Sequence, residues 1–73
     1  MNAASLSKSP RLQRVDRLLS DGLWHSTREI AQGANVCAVN SCIAELREND
    51  RLIVGHWKNK VFYYRMVPKK ASA

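Results

Sequence analysis

Both cysteines of this chain fall in one hexapeptide, Cys37-Ala-Val-Asn-Ser-Cys42, and thiols that close in sequence are the usual start of a metal or disulfide site. The surrounding periodicity argues against one. Val36, Val39, Ile43 and Leu46 repeat with the period of a single buried helical stripe, which puts the hexapeptide on a helix. At about 100° per residue, side chains five apart diverge by about 140° around the axis. Two such thiols can neither share a metal ion nor close an intrahelical disulfide. A structural zinc needs four ligands, and His25 and His56 stand at no ligand spacing from the thiols. No metal is expected. Cys42 lies beside the stripe and reads as a small core hydrophobe. Cys37 is expected at the helix N-terminus, where the macrodipole lowers a thiol pKa; it is either a redox-sensing thiol or a small residue at the edge of an exposed surface.

Other chemistry is thinly represented. There is no Ser-His-Asp order, no glycine-rich phosphate loop and no carboxylate pair in a pocket-forming context, and 73 residues leave little room for a cleft. Neither an enzyme, a cofactor nor a small-molecule ligand is expected. Twelve Lys and Arg against six Asp and Glu give a formal charge of +6 and a pI near 9.9. On so small a surface that is a strong positive field, and a polyanion is its natural partner; the alternative is charge that only keeps the domain soluble. Lys8, Arg11, Arg14 and Arg17 lie near one end, and Lys58, Lys60, Arg65, Lys69 and Lys70 near the other. Glu29, Glu45, Glu48 and Asp50 lie between them.

The elements that must position these groups follow from pattern. Pro10 suits a first helical turn, and Leu12, Val15, Leu18 and Leu19 recur at spacings of three and four, so an amphipathic helix runs until Gly22. Leu23-Trp24-His25 is a short extended piece, with Trp24 expected in the core. Ser26-Thr27-Arg28-Glu29 is a capping box that starts a second helix, with Ile30 and Ala31 inward and a break at Gly33-Ala34-Asn35. The third helix is expected over 36–49. After it the period changes to two: Leu52-Ile53-Val54 and Val61-Phe62-Tyr63-Tyr64 flank the polar Lys58-Asn59-Lys60, a hairpin signal, with Phe62, Tyr64 and Met66 expected inward. Trp57 is expected to pack on its own hairpin across from Val61 or Tyr63. Residues 1–9 and 68–73 lack an apolar period and read as flexible tails around a domain at 10–67. No apolar run approaches the ~20 residues of a membrane span and no secretory h-region opens the chain, so a cytoplasmic protein is expected.

The stretch from Trp24 to Val54, W-H-S-T-R-E-I-A-Q-G-A-N-V-C-A-V-N-S-C-I-A-E-L-R-E-N-D-R-L-I-V, together with the hairpin that follows, resembles the winged helix-turn-helix domains of small bacterial, plasmid and phage transcription regulators. The likeness spans residues 11–67. Two departures stand out: Asp50-Arg51 replaces the usual glycine before the L-I strand, and the turn reads Gly33-Ala34-Asn35 where relatives place a glycine later. Asn35, Asn49 and Asp50 all tolerate the left-handed region.

The resemblance implies an α+β fold, a three-helix core with a C-terminal β-hairpin wing, acting as a sequence-specific regulator on double-stranded DNA. The third helix would enter the major groove with Cys37, Ala38, Ser41, Ala44, Glu45 and Glu48 outward and Asn40 on the shoulder. Asn40 would pair with adenine, Ser41 with a base or phosphate, and Glu45 with a cytosine amine. Thr27 and Arg28 would meet a phosphate at the start of the second helix, and the basic wing 57–61, with Lys58, Asn59 and Lys60, would hold the backbone or minor groove. Asn40, Ser41 and the two lysines can equally be solvated surface. The acidic end of the third helix and the Trp57 hairpin leave a second reading open, a protein-protein interaction module. A homodimer is allowed for, although no dedicated dimerisation helix is evident.

Overall fold

A computed structural model of the chain describes residues 6–67. They form a small α+β domain whose order follows the sequence pattern: a 3-10 turn (Leu6–Lys8), α1 (Pro10–Leu19), β1 (His25–Ser26), α2 (Thr27–Gly33), α3 (Val39–Glu48), β2 (Leu52–Lys58) and β3 (Val61–Val67). The sheet is antiparallel with order β1-β3-β2. Residues 1–5 and 68–73 of the expected tails lie outside the described residues.

Each helix start has a local cause. Ser9 caps α1 by accepting from the Leu12 amide, and Pro10 takes the first helical position, where no amide is needed. Ser26 and Glu29 complete the capping box, each accepting from the other's amide at 3.0 and 3.1 Å. The third helix starts later than its periodicity suggests. Asn35 adopts a left-handed conformation (φ 54°), and the Val36 amide turns back to the Ala31 carbonyl. Val36 is thereby delivered to the core from the turn, and α3 begins only at Val39, with Ala38 as an N-cap that has no side-chain bond. Asp50 is also left-handed (φ 65°), so the two positions that depart from glycine adopt the backbone expected of it.

The core lies between the three helices and one face of the sheet. Leu12, Val15, Leu19, Ile30, Cys42, Ile43 and Leu46 are fully or almost fully buried, joined by Ile53 and Tyr64. At about 25 cal/mol per Å² of apolar area, each large aliphatic chain so placed contributes about 1.5–3 kcal/mol. Phe62 and Met66 pack against this cluster, as the alternation predicts. Gly55 pairs with Tyr64 across the hairpin, and a Cβ there would lie 2.6 Å from the Phe62 ring. The missing side chain is the space in which Phe62 lies.

Three expectations need correction. Residues 6–9 are not a bare tail: Leu6 packs against the core and its amide donates to Asn49 Oδ1. Trp24 is not a core residue but 45% exposed, because His25, the next residue along β1, takes the inward position. Trp57 pairs with Phe62 rather than with Val61 or Tyr63; their rings lie 6.2 Å apart.

Candidate nucleic-acid interface

Twelve positive charges are not twelve available ones. Arg11 bridges to Glu45 at 2.7 Å and donates to the Cys42 sulfur at 3.0 Å; its guanidinium pKa is raised, first by the Glu45 bond and then by Cys42. Arg14 donates to the Ala34 carbonyl at the end of α2, and Arg47 donates twice to the Ile53 carbonyl. Arg51 pairs with Asp16, and Arg65 is held by the Gly22 carbonyl. These five arginines fasten elements together. Within the described residues Arg28, Lys58 and Lys60 make no such bond, so they carry the free charge on the side of α2 and the hairpin.

Six of the expected contact residues come together. Thr27 and Arg28 from α2, Cys37 and Ala38 from the turn, Asn40 from α3 and Lys60 from the hairpin tip line one open groove. Its hairpin wall is Trp57, Val61 and Phe62. Trp57 is 63% exposed, so a large flat surface faces the groove beside the lysine. Trp57 and Val61 fall within the expected wing 57–61, but charge does not single them out as wall residues. Strand parity does so for Trp57, which shares with Ile53 and Gly55 the face turned toward the helices.

Within the groove, several side chains are constrained. Tyr64, buried in the sheet, donates its hydroxyl to Asn40 Oδ1 at 2.7 Å. One acceptor lone pair and both amide hydrogens of Asn40 remain for a ligand, the donor-acceptor pair that an adenine edge requires. The Thr27 hydroxyl donates to the Phe62 carbonyl at 3.1 Å, which ties the start of α2 to β3. Its proton is therefore engaged, and of the two residues proposed for a phosphate at this end, Arg28 is the one with free donors. Cys37 is exposed and lies in the bend before α3, two residues short of the helix, so the helix-terminal position expected for it is not the one it occupies. Cys42 is fully buried, in keeping with its reading as a core residue.

The remaining expected contacts separate. Ser41 is exposed on α3 with Ala44 and Glu48, adjoining the groove. Glu45 is not on that outer face: it is turned to α1, where Arg11 takes it. With Val39, Cys42, Ile43 and Leu46 inward, position 45 falls on the α1 shoulder of the helix and Asn40 on the hairpin shoulder. Lys58 and Asn59 line a different hollow, with Trp24, His56 and Tyr63. The tip thus divides its two lysines between opposite sides of the sheet.

Among the described residues no three His, Cys, Asp or Glu side chains gather into a metal-binding group, and no helix is long and apolar enough to cross a membrane. No known family model matches this chain, nor does any curated protein or solved structure.

Proposed function

We propose that the chain is a winged helix-turn-helix regulator that binds double-stranded DNA, with α3 in the major groove and the hairpin tip as a wing on the flanking backbone or minor groove. The observation that carries this reading is the convergence, in one groove, of the unpaired cations Arg28 and Lys60 with an Asn40 whose amide is held by Tyr64. Arg28 and Lys60 supply sequence-independent attraction to phosphates, and Asn40 supplies a base-specific pair. The exposed surface of α3 next to them is small, Ser41 and Ala44, so the helix can approach base edges closely.

The acidic end of α3 is a smaller obstacle than its sequence suggests. Glu45 is neutralised by Arg11, which leaves Glu48 as the exposed carboxylate on the outward face. The same fact weakens the interaction-module reading, which needs that acidic patch. Fluorescence anisotropy against random-sequence duplex at two salt concentrations tests the proposal. Salt-steep binding that Arg28→Ala and Lys60→Ala weaken supports it; absence of binding at low salt rejects it.

A further inference from the structure

The sheet has a second face, and its chemistry is unlike that of the groove. Strand alternation sends Ile53, Tyr64 and Met66 into the core, and the residues between them the other way. On this outer side Trp24 and His56 lie with ring centroids 5.8 Å apart and planes at 54°. Tyr63 is the register partner of both His56 and Ser26, so it occupies the middle strand between them. Trp24, His56 and Tyr63, with Lys58 and Asn59 from the tip, line one hollow. No acidic side chain lines it.

Three aromatic rings, one free ammonium and one carboxamide around a single hollow form a recognisable set. The rings offer π-faces, the amine meets a phosphate, and the amide meets a polar edge of a base. A base within a duplex has both faces covered by its neighbours, so the ligand that fits is unpaired. A second copy of this chain fits poorly, because it would bring the same Lys58 to a face that holds no acid to meet it. An acidic peptide would satisfy Lys58 but leave the rings without flat partners.

We infer that the outer face of the sheet is a second nucleic-acid site, which holds an unpaired base of single-stranded DNA against Trp24, His56 and Tyr63 with the adjoining phosphate at Lys58. The choice of DNA rests on the duplex reading. Lys58 and Lys60 stand on either side of the tip, so a strand leaving a duplex on the Lys60 side crosses only a two-residue turn to reach the hollow. The stacking site itself does not rest on that reading, because Asn40, Arg28 and Lys60 lie across the sheet.

The test uses the full chain with a fluorescein-labelled octathymidylate, and measures binding of a random duplex in parallel. Trp24→Ala is expected to weaken octathymidylate binding by about 5- to 100-fold, the effect of losing one base-aromatic stack. Trp24→Phe, which keeps a ring, should retain most of it. Lys58→Ala should reduce the slope of log K against log salt by about 0.7, the increment for one phosphate of a single strand. Duplex affinity should stay within about twofold in Trp24→Ala, since the groove is a separate site. Trp24 is exposed, and a thermal melt of each variant verifies that it is folded. Octathymidylate binding that follows Trp24 in the absence of duplex binding would uphold the stacking site and remove the duplex reading. The inference is overturned if octathymidylate does not bind, if Trp24→Ala leaves its binding unchanged, or if both ligands weaken equally. Octauridylate binding about tenfold tighter than octathymidylate would overturn DNA as the occupant. A dimer in sedimentation that Trp24→Ala dissociates, without single-strand binding, would give the face to a second copy instead.

Discussion

The Tyr64 hydroxyl reaches out of the core and donates to Asn40 Oδ1 at 2.7 Å, so the central strand of the sheet holds the Asn40 amide at the groove in one orientation. Tyr64 is itself only 7% exposed, and its ring lies edge-on to Phe62 at 4.9 Å. The amide of Asn40 is therefore oriented before any ligand arrives, which lowers the entropy lost on binding.

Tyr64→Phe removes this bond and little else. The folded state should lose about 0.5–1.5 kcal/mol, the net contribution of one hydrogen bond. Binding to random duplex should hardly change, while preference for a selected site should fall, because a freely rotating amide discriminates bases less well. Chemical denaturation reads the first effect, and anisotropy against selected and random duplexes reads the second. Equal loss on both duplexes would assign Asn40 to the backbone rather than to a base.

Glu45 gives the opposite kind of prediction. If it read a cytosine, Glu45→Ala would reduce specificity. Held by Arg11 at 2.7 Å with both side chains part-exposed, it should instead act as a surface ion pair, whose loss costs about 0.2–1 kcal/mol. Duplex affinity should rise slightly, since the substitution removes a negative charge and frees a guanidinium. A clear loss of site preference in Glu45→Ala would restore the cytosine contact.

Lys60 sits in the left-handed region at φ 65°, after Asn59 at φ 49°. Asn tolerates that conformation and Lys does not, so the turn stores strain at the very residue that points charge into the groove. Lys60→Gly relieves about 1–2 kcal/mol of left-handed strain but adds about 0.5–1 kcal/mol of unfolded-chain freedom, so the fold should gain up to about 1 kcal/mol, read as a higher urea midpoint. Duplex binding should weaken at the same time, with the salt slope reduced by about one. A variant that gains stability without losing affinity would show that the strain serves no contact at this position.

Much of this arrangement is legible in the sequence because it depends on short-range rules. The capping box at Ser26, the stripe through Val39, Ile43 and Leu46, and the hairpin around Asn59 are set by residues within a turn of one another. The parts that resisted are those decided across the fold. Charge counting could not tell Arg11, Arg14, Arg47, Arg51 and Arg65, which fasten elements, from Arg28, Lys58 and Lys60, which do not. Glu45 looked outward by exclusion from the stripe, yet α1 packs on that shoulder and Arg11 claims it. A large aromatic such as Trp24 is expected inward, yet the two-residue strand β1 places His25 in the buried position and leaves Trp24 outward. At the tip it is the turn that separates the lysines: Lys58 ends β2 on the outer face, while Lys60 lies in the left-handed turn and reaches the groove.

His25 fills that buried place beside two carboxylates. Its Nε2 lies 3.0 and 3.1 Å from the two oxygens of Asp21, and its Nδ1 lies 3.6 Å from Glu29 Oε2. Asp21 also accepts the Leu23 amide at 2.9 Å, and that bond, followed by the one to His25, holds its carboxyl below the ordinary value of 3.8. A carboxyl whose pKa is depressed on folding contributes stability that is fully present above its unfolded pKa and is lost as pH falls through the folded one. The contribution of Asp21 should therefore be constant from neutrality to about pH 5 and shrink progressively as pH falls below about 4 and through the lowered folded pKa. Asp21→Asn keeps an oxygen for the Leu23 amide but cannot ionise. Urea midpoints of the wild type and Asp21→Asn should differ by the same amount at pH 7 and pH 5 and draw together as pH is lowered below about 4. A difference that does not shrink at all as the solution is acidified below about pH 4 would assign the effect to packing around the turn rather than to the charge.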